Sequence, residues 1–493
     1  MEMQWNSTPW SCFKRCANPV LNQEQTLEVR LSDGMPDIAR VLCAWGQPIL
    51  RGKEWRNEGI SVTGGVAVWV LYIPEEGELV QSVQAWLPFQ GKWSLTDSHR
   101  DGFIRAECIL RGVDARTLSA RKLMVRANVG LVADTWEQTQ TDIAQPQQMP
   151  QQVYALEKTY PLWVWTEAGE KLLTLEESFS TDGTKLLSCR IRPVVTEQNV
   201  VGERVVIRGV AYADALCLDE QGKVFSRTFE LPFAQFADLE GKYDKDSAAE
   251  ISVAVSNLET ELIDSVLRIK CGLVAQYLIR ENRMLRIAED AYSPLRALSV
   301  DMQPLCIPTV LDQRREWVEL EEDLSFSVAE VVDVCHFPDH PVVCREGTQT
   351  VLEFPGMVSA LWYDGQGELH ASSERICGTL QFPAGEDSKV YASVTQESGM
   401  TLMPHGGGTR LSGRIRLDTV TAGQLQTEMV TAMKVGEAIA RSEDSPSLLL
   451  QRVGEEDLWQ LAKASGSTVE AIREANGLEN EPIPGALLLI PVI

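Results

Sequence analysis

Positive charge is the first shortage in this sequence. Lys and Arg total 45 against 70 Asp and Glu, for a formal net charge of −25. Such a balance repels nucleic-acid phosphates and anionic membrane surfaces and favours neutral or basic partners. No basic run exceeds two residues. Long apolar runs are also missing, and none approaches the roughly 18 residues that a membrane helix needs. The opening residues, MEMQWNSTPW, have no basic segment followed by an apolar one, so no export signal is expected. The 11 Cys are odd in number and scattered from Cys12 to Cys377. Most sit in apolar stretches, as around Cys43, Cys108 and Cys271, where Cys acts as a small hydrophobe. A reduced, cytoplasmic protein is therefore expected.

Catalytic chemistry is equally thin. There are 5 His in the chain, and no Gly-x-Ser-x-Gly, His-Glu-x-x-His or Gly-x-x-x-x-Gly-Lys occurs. Gly406-Gly407-Gly408 lacks a following Lys-Ser and a helix. No activated nucleophile or acid–base pair stands out, so no enzyme and no cofactor are expected. The stretch from Cys335-His336 through Asp339-His340 to Cys344 superficially suggests zinc. Its spacing matches no common finger, and Pro338 and Pro341 constrain it. A strand, turn and strand with the Cys in a core is the competing reading. Cys12 and Cys16 make a similar case, and no metal is expected at either place.

What the chain does have is repetition and β patterning. Its 493 residues suggest three or four domains at about 150 residues each. One segment reads Gly65-Val-Ala-Val-Trp-Val-Leu-Tyr72, then Gly77, then Leu87-Pro88-Phe89. A second runs from Gly209 through Leu216 and Gly222 to Leu231-Pro232-Phe233 with the same spacing. A third runs from Gly356 through Gly367 to Phe382 and is slightly longer. Upstream of each lies an apolar–polar segment (residues 26–32, 171–178 and 317–325), and downstream another (residues 123–131, 267–273 and 411–417). Three units follow, over residues 20–136, 160–298 and 313–440, after an N-terminal segment 1–19. Leu267, Ile269, Cys271 and Leu273 alternate with Arg268 and Lys270, the period of two of a half-buried strand. The Gly-centred links at Gly77, Gly222 and Gly367 read as hairpin turns. The expected fold is mainly β, with three tandem antiparallel sandwich-like repeats. Residues 137–152 hold seven Gln and two Pro and read as a solvated spacer within a linker 137–159. Residues 442–446 read as a second spacer.

Residues 446–493 differ in character. A strand, Leu448 to Val453, precedes the acidic triplet Glu455-Glu456-Asp457. Leu458, Trp459, Leu461 and Ala462 recur at helical spacing up to Ser465-Gly466. Ser467, with Glu470 three residues on, is the expected capping box of a second helix ending at Asn476-Gly477. A last strand, Leu487 to Ile490, completes a βααβ order. This order, with Leu458-Trp459, Leu461-Ala462, Thr468-Val469, Ile472, Asn476, Leu478 and Pro484-Gly485, resembles the LysM module. The resemblance implies a shallow groove for N-acetylglucosamine polymers between the loop after the first strand and the loop after the second helix. The candidate contacts are Glu455, Glu456, Asp457, Asn476, Gly477, Leu478, Glu479 and Ile483. The first loop of such modules usually reads Gly-Asp-Thr, whereas carboxylates stand here. They favour a protein ligand over a glycan, or serve only to cap the helix.

The repeats carry a second resemblance. Met35-Pro36-Asp37-Ile38, the Val66 to Tyr72 run, the Pro88-Phe89 pair and the closing Glu289-Asp290-Ala291-Tyr292-Ser293-Pro294 resemble the SPOCS domain (also called DUF3794). SPOCS repeats followed by one terminal LysM resemble the SipL class of spore-coat morphogenetic proteins. That resemblance implies a non-enzymatic adaptor in the mother-cell cytoplasm at the forespore surface. Its LysM would dock to a SpoIVA-type ATPase of the coat's basement layer, and self-assembly through exposed strand edges is compatible with it. Peptidoglycan or N-acetylglucosamine binding is the alternative.

Overall fold

The computed structural model describes residues 5–56, 59–77, 79–94, 102–146, 149–346, 349–383, 388–440, 446–480 and 482–493. The spacer expected at residues 442–446 therefore lies outside the described residues, except for Pro446. The first stretch of chain folds as β1 (Trp5–Ala17), β2 (Val20–Arg30), β3 (Ile38–Arg56), β4 (Gly59–Pro74), β5 (Gln81–Ser94), β6 (Phe103–Ser119) and β7 (Lys122–Pro146). The second is β8 (Tyr154–Ser180), β9 (Lys185–Leu218), β10 (Val224–Tyr243), β11 (Ala248–Ile263) and β12 (Val266–Tyr292). The third is β13 (Arg296–Leu324), β14 (Glu330–Pro338), β15 (Val342–Glu346), β16 (Gln349–Tyr363), β17 (Leu369–Pro383), β18 (Lys389–Gln396), β19 (Thr401–His405) and β20 (Gly408–Ala438). The chain ends with β21 (Leu448–Arg452), α1 (Leu458–Ser465), α2 (Val469–Asn476) and β22 (Leu487–Pro491). All strand pairs are antiparallel, and the fold is mainly β.

One pairing scheme occurs in all three stretches. In each, a strand at or near the start pairs with the stretch's last strand: β2 with β7, β8 with β12, β13 with β20. The upstream and downstream segments of the sequence thus face each other, as Leu27 opposite Val125, Leu173 opposite Leu273, and Val318 opposite Ile415. The last strand also takes the strand before it: β6 on β7, β11 on β12, and β18 and β19 on β20. Between them stands a hairpin, β4–β5, β9–β10 or β16–β17. Gly222 and Gly367 close two of these hairpins at φ 79° and 82°, a region that penalises any Cβ. The Asp219 and Asp364 carboxylates each accept two backbone N–H groups there, at 2.8–2.9 Å.

Aromatic rings lie over glycines across these hairpins. Phe233 faces Gly209, and Phe89 faces Gly64, one residue before the Gly65 that the sequence pattern matched. A Cβ on Gly64 or Gly209 would meet the opposing ring within 2.8 Å and a backbone carbonyl within 2.2 Å. In the third stretch the roles are exchanged, and Phe354 lies over Gly378.

The opening and closing strands are longer than the lobes they close. Their far halves, with β1 supplying a partner for β7, form three two-stranded ribbons. Each ribbon carries a register shift where it leaves its lobe: between Arg15 and Ala17, between Ile279 and Arg280, and between Val310 and Asp312. Trp136, Trp165, Leu278, Val310 and Val420 pack at that junction, with the two indoles edge to face at 4.8 Å. Beyond it, Ile143, Val164, Leu285, Ile307 and Met429 make a core to which all three ribbons contribute. The solvated spacer expected at residues 137–152 is corrected over its first ten residues; residues 147–148 lie outside the described residues, and 149–152 are loop and turn. Residues 137–146 are strand, pairing with β1 from Lys14 to Trp5. Ile143 is buried and Thr139 and Thr141 half-buried, while Gln138, Gln140 and Asp142 face solvent. Thr is compatible with a pleated, half-buried surface, so few apolar residues suffice.

The terminal helices are set by their caps. Asp457 N-caps α1: its carboxylate accepts the Gln460 N–H at 2.8 Å, and the Gln460 side chain accepts the Asp457 N–H. Gly466 and Gly477 end the two helices in the left-handed conformation. The N-cap of α2 is Thr468, whose Oγ1 accepts the Ala471 N–H at 3.1 Å; the expected Ser467 cap is corrected by one residue. Ser467 is instead fully buried and gives its carbonyl to Tyr292.

Candidate functional site

The two loops expected to form a groove do meet. Val453 donates its N–H to the Ala486 carbonyl, and Gly485 donates to the Val453 carbonyl, both at 2.8 Å. These bonds place the acidic triplet beside the loop that carries Ile483. Glu455 and Glu456 are exposed, and the Glu456 carboxylate accepts the Gly454 N–H at 3.1 Å. Asp457 is exposed but committed to its helix cap. Ile483 is 79% exposed, and Gly477 and Glu479 are also open.

Asn476 and Leu478 have structural roles. The Asn476 amide donates to the Leu489 carbonyl at 2.6 Å and accepts the Leu489 N–H at 2.8 Å, so it ties α2 to β22. Leu478 packs into the module's core, and its N–H closes on the Arg473 carbonyl at 3.0 Å. Beside the loops, β21 and β22 present an apolar face. Alternation turns Leu449, Leu488 and Ile490 inward and leaves Leu448, Leu450, Leu487 and Leu489 exposed, with Leu450 opposite Leu489.

The module is anchored through α1, by residues that the sequence reading did not assign to the site. Trp459 and Lys463 lie one turn apart on α1 and share a partner, Asp290 of β12. The Trp459 indole donates to Asp290 at 2.8 Å, and Lys463 Nζ reaches both carboxylate oxygens at 2.7 and 2.8 Å. Tyr292 enters the module's core, edge to face with Trp459 at 4.8 Å and stacked on Tyr154 at 5.8 Å. Its hydroxyl donates to the Ser467 carbonyl at 3.0 Å, and burial pushes the phenol pKa up, so it stays a donor. Next to this seat, burial pushes the Glu289 carboxyl up, but bonds from Lys158, Thr427 and Tyr160 outweigh it and hold the group below the usual range. The signal available in the sequence was the closing segment Glu289 to Pro294 and the i, i+4 spacing of Trp459 and Lys463.

The Cys335 to Cys344 set does not gather. Cys335 is a core residue, His336 and His340 line a cavity, and Cys344 sits on β15 opposite Val351. Among the described residues, Asp364, Glu368 and His370 form the one group of three with ligand atoms within 4.8 Å of each other. It lies on the exposed β16–β17 turn, where Asp364 already serves the turn's backbone.

The fold and the anchored module thus define a β scaffold with a terminal strand–helix–helix–strand head. A family model described as the SipL, SPOCS domain matches residues 183–263, which span β9, β10 and β11. The match supports the SPOCS/SipL class and a sporulation-related protein. No curated protein and no solved structure matches the chain. No helix among the described residues is long and apolar enough to cross a membrane.

Proposed function

We propose that the chain is a non-enzymatic spore-coat morphogenetic adaptor whose terminal LysM-like head docks to a protein, the ATPase of the coat's basement layer, at the forespore surface. The three stretches with one pairing scheme are read as three SPOCS-type units, of which the second carries the family match. The observation that carries the reading is the composition of the head's open side. Exposed carboxylates at Glu455 and Glu456 adjoin Ile483 and the face formed by Leu448, Leu450, Leu487 and Leu489. Aliphatic side chains beside carboxylates suit a basic, apolar protein surface. A sugar polymer would want free backbone donors, and the Gly454 N–H is already held by Glu456.

The test is a pull-down of the basement-layer ATPase with the full chain and with Glu455→Lys/Glu456→Lys. Asp457 is left intact because its loss would uncap α1. The double variant should lose at least tenfold in affinity; unchanged capture overturns the reading. Binding of N-acetylglucosamine oligomers at these loops, with no ATPase capture, would replace it by a glycan-binding function.

A further inference from the structure

The β16–β17 hairpin turns through Asp364, Gly365, Gln366 and Gly367. One carboxylate oxygen of Asp364 holds that turn together. Its Oδ1 accepts the Gln366 N–H at 2.9 Å and the Glu368 N–H at 2.8 Å. The other oxygen, Oδ2, is not used by the turn and lies 3.0 Å from Nε2 of His370. The exposed Glu368 carboxylate completes the group, and one ligand atom from each residue lies within 4.8 Å of the other two. Glu368 and His370 flank the buried Leu369, so alternation keeps both on the side away from the core. The imidazole lies against the Trp362 indole, with ring centroids 4.9 Å apart and planes at 28°, which fixes its orientation.

The chain carries its own control for this turn. In the β9–β10 hairpin, Asp219 accepts the Gln221 and Lys223 N–H groups at 2.8 Å, and Gly222 stands where Gly367 does. Lys223 and Phe225 there occupy the places of Glu368 and His370. The turn therefore forms without a second carboxylate and without an imidazole. Among the described residues, no Lys or Arg pairs with Asp364 or Glu368. One imidazole nitrogen and two carboxylates suit zinc, whereas calcium and magnesium take oxygen ligands. Zinc held at about 2.0–2.2 Å by each ligand sets tetrahedral ligand atoms roughly 3.3–3.6 Å apart. The 3.0 Å between Asp364 and His370 is close to that spacing, and the exposed Glu368 side chain has room to adjust.

We propose that Asp364 Oδ2, Glu368 and His370 Nε2 form a zinc site at the tip of the β16–β17 hairpin. Zinc takes the place of the proton between Nε2 and Oδ2, and that proton passes to solvent. Three protein ligands leave a fourth position to water. The site belongs to the third stretch, shares no residue with the terminal head and does not depend on the adaptor reading.

The experiment is calorimetric titration of zinc into the full, reduced chain and into Glu368→Lys and His370→Phe. Both substitutions copy the β9–β10 hairpin, so the turn is retained, and circular dichroism checks that the chain still folds. Should His370→Phe fail that check, His370→Gln replaces it. Losing a group that only supports a metal ligand costs about 10–100-fold in affinity, so losing a ligand should weaken zinc binding at least tenfold in each variant. Calcium, run in parallel, should bind the unmodified chain at least tenfold more weakly than zinc. Three results overturn the proposal. One is no zinc binding, and another is equal affinity for calcium. The third is zinc binding that both variants keep in full, which assigns the metal elsewhere, as to the exposed thiols Cys306 and Cys377.

Discussion

Replacing Asp290 by Ala removes the shared partner of Trp459 and Lys463 while leaving the module's own core untouched. Three contacts to the module are lost, at 2.8, 2.7 and 2.8 Å, besides the bond that the Ala291 N–H gives the same carboxylate. Hydrogen bonds to a charged group contribute about 1.5–3 kcal/mol when buried. Lys463 is 46% exposed and Asp290 22%, so solvent screens their pairing to about 0.2–1 kcal/mol. Adding the half-buried indole bond gives about 2–3 kcal/mol, or roughly 30–150-fold in the docking equilibrium. The assay is hydrogen exchange of the Trp459 indole N–H in the full chain, assigned by its loss in Trp459→Phe. Asp290→Ala should accelerate that exchange by a similar factor. Asp290→Asn keeps an acceptor oxygen and should fall between. Unchanged protection in Asp290→Ala would refute the idea that Asp290 seats the module.

Other consequences follow from the same geometry. Tyr292→Phe leaves the Ser467 carbonyl without its donor and should cost about 1–3 kcal/mol of docking, read by amide exchange in α1. Trp136→Ala empties the junction of the three ribbons and should lower unfolding stability by about 3–5 kcal/mol in a denaturant titration. Burial holds the His336 pKa down at about 4, below its unfolded value of 6.5. Its folded form stays neutral while the unfolded chain takes up a proton. Stability is therefore fully present above about pH 6.5 and falls as the pH drops toward 4, by at most about 3 kcal/mol. His336→Gln should flatten that part of the stability–pH curve.

The β character of the chain was legible because the half-buried strands alternate, as Leu267, Ile269, Cys271 and Leu273 do. Which strand pairs with which was not, since the register of residues 26–32 on 123–131 is fixed by packing between segments far apart in sequence. The Gln-rich stretch misled for a definable reason: its inward positions are Thr139, Thr141 and Ile143, too few apolar groups to rise above its amides. In the head, helix ends at Gly466 and Gly477 were readable from local chemistry. The N-cap was not, because Ser467 and Thr468 offer the same hydroxyl. What separates them is a contact from Tyr292, which lies in another part of the chain. For the same reason Asp290 escaped notice as part of the site. Of the predicted contacts, Glu455, Glu456 and Ile483 lie together on the open side, whereas Asp457, Asn476 and Leu478 hold the module's own fold.

The central claim, an adaptor that docks through its open head, is tested most directly by imaging the full chain as a fluorescent fusion in sporulating cells of its source. The expected result is a shell around the forespore that becomes diffuse in Glu455→Lys/Glu456→Lys at equal protein level. A diffuse signal from the unmodified chain, or a shell that the double variant retains in full, would contradict it.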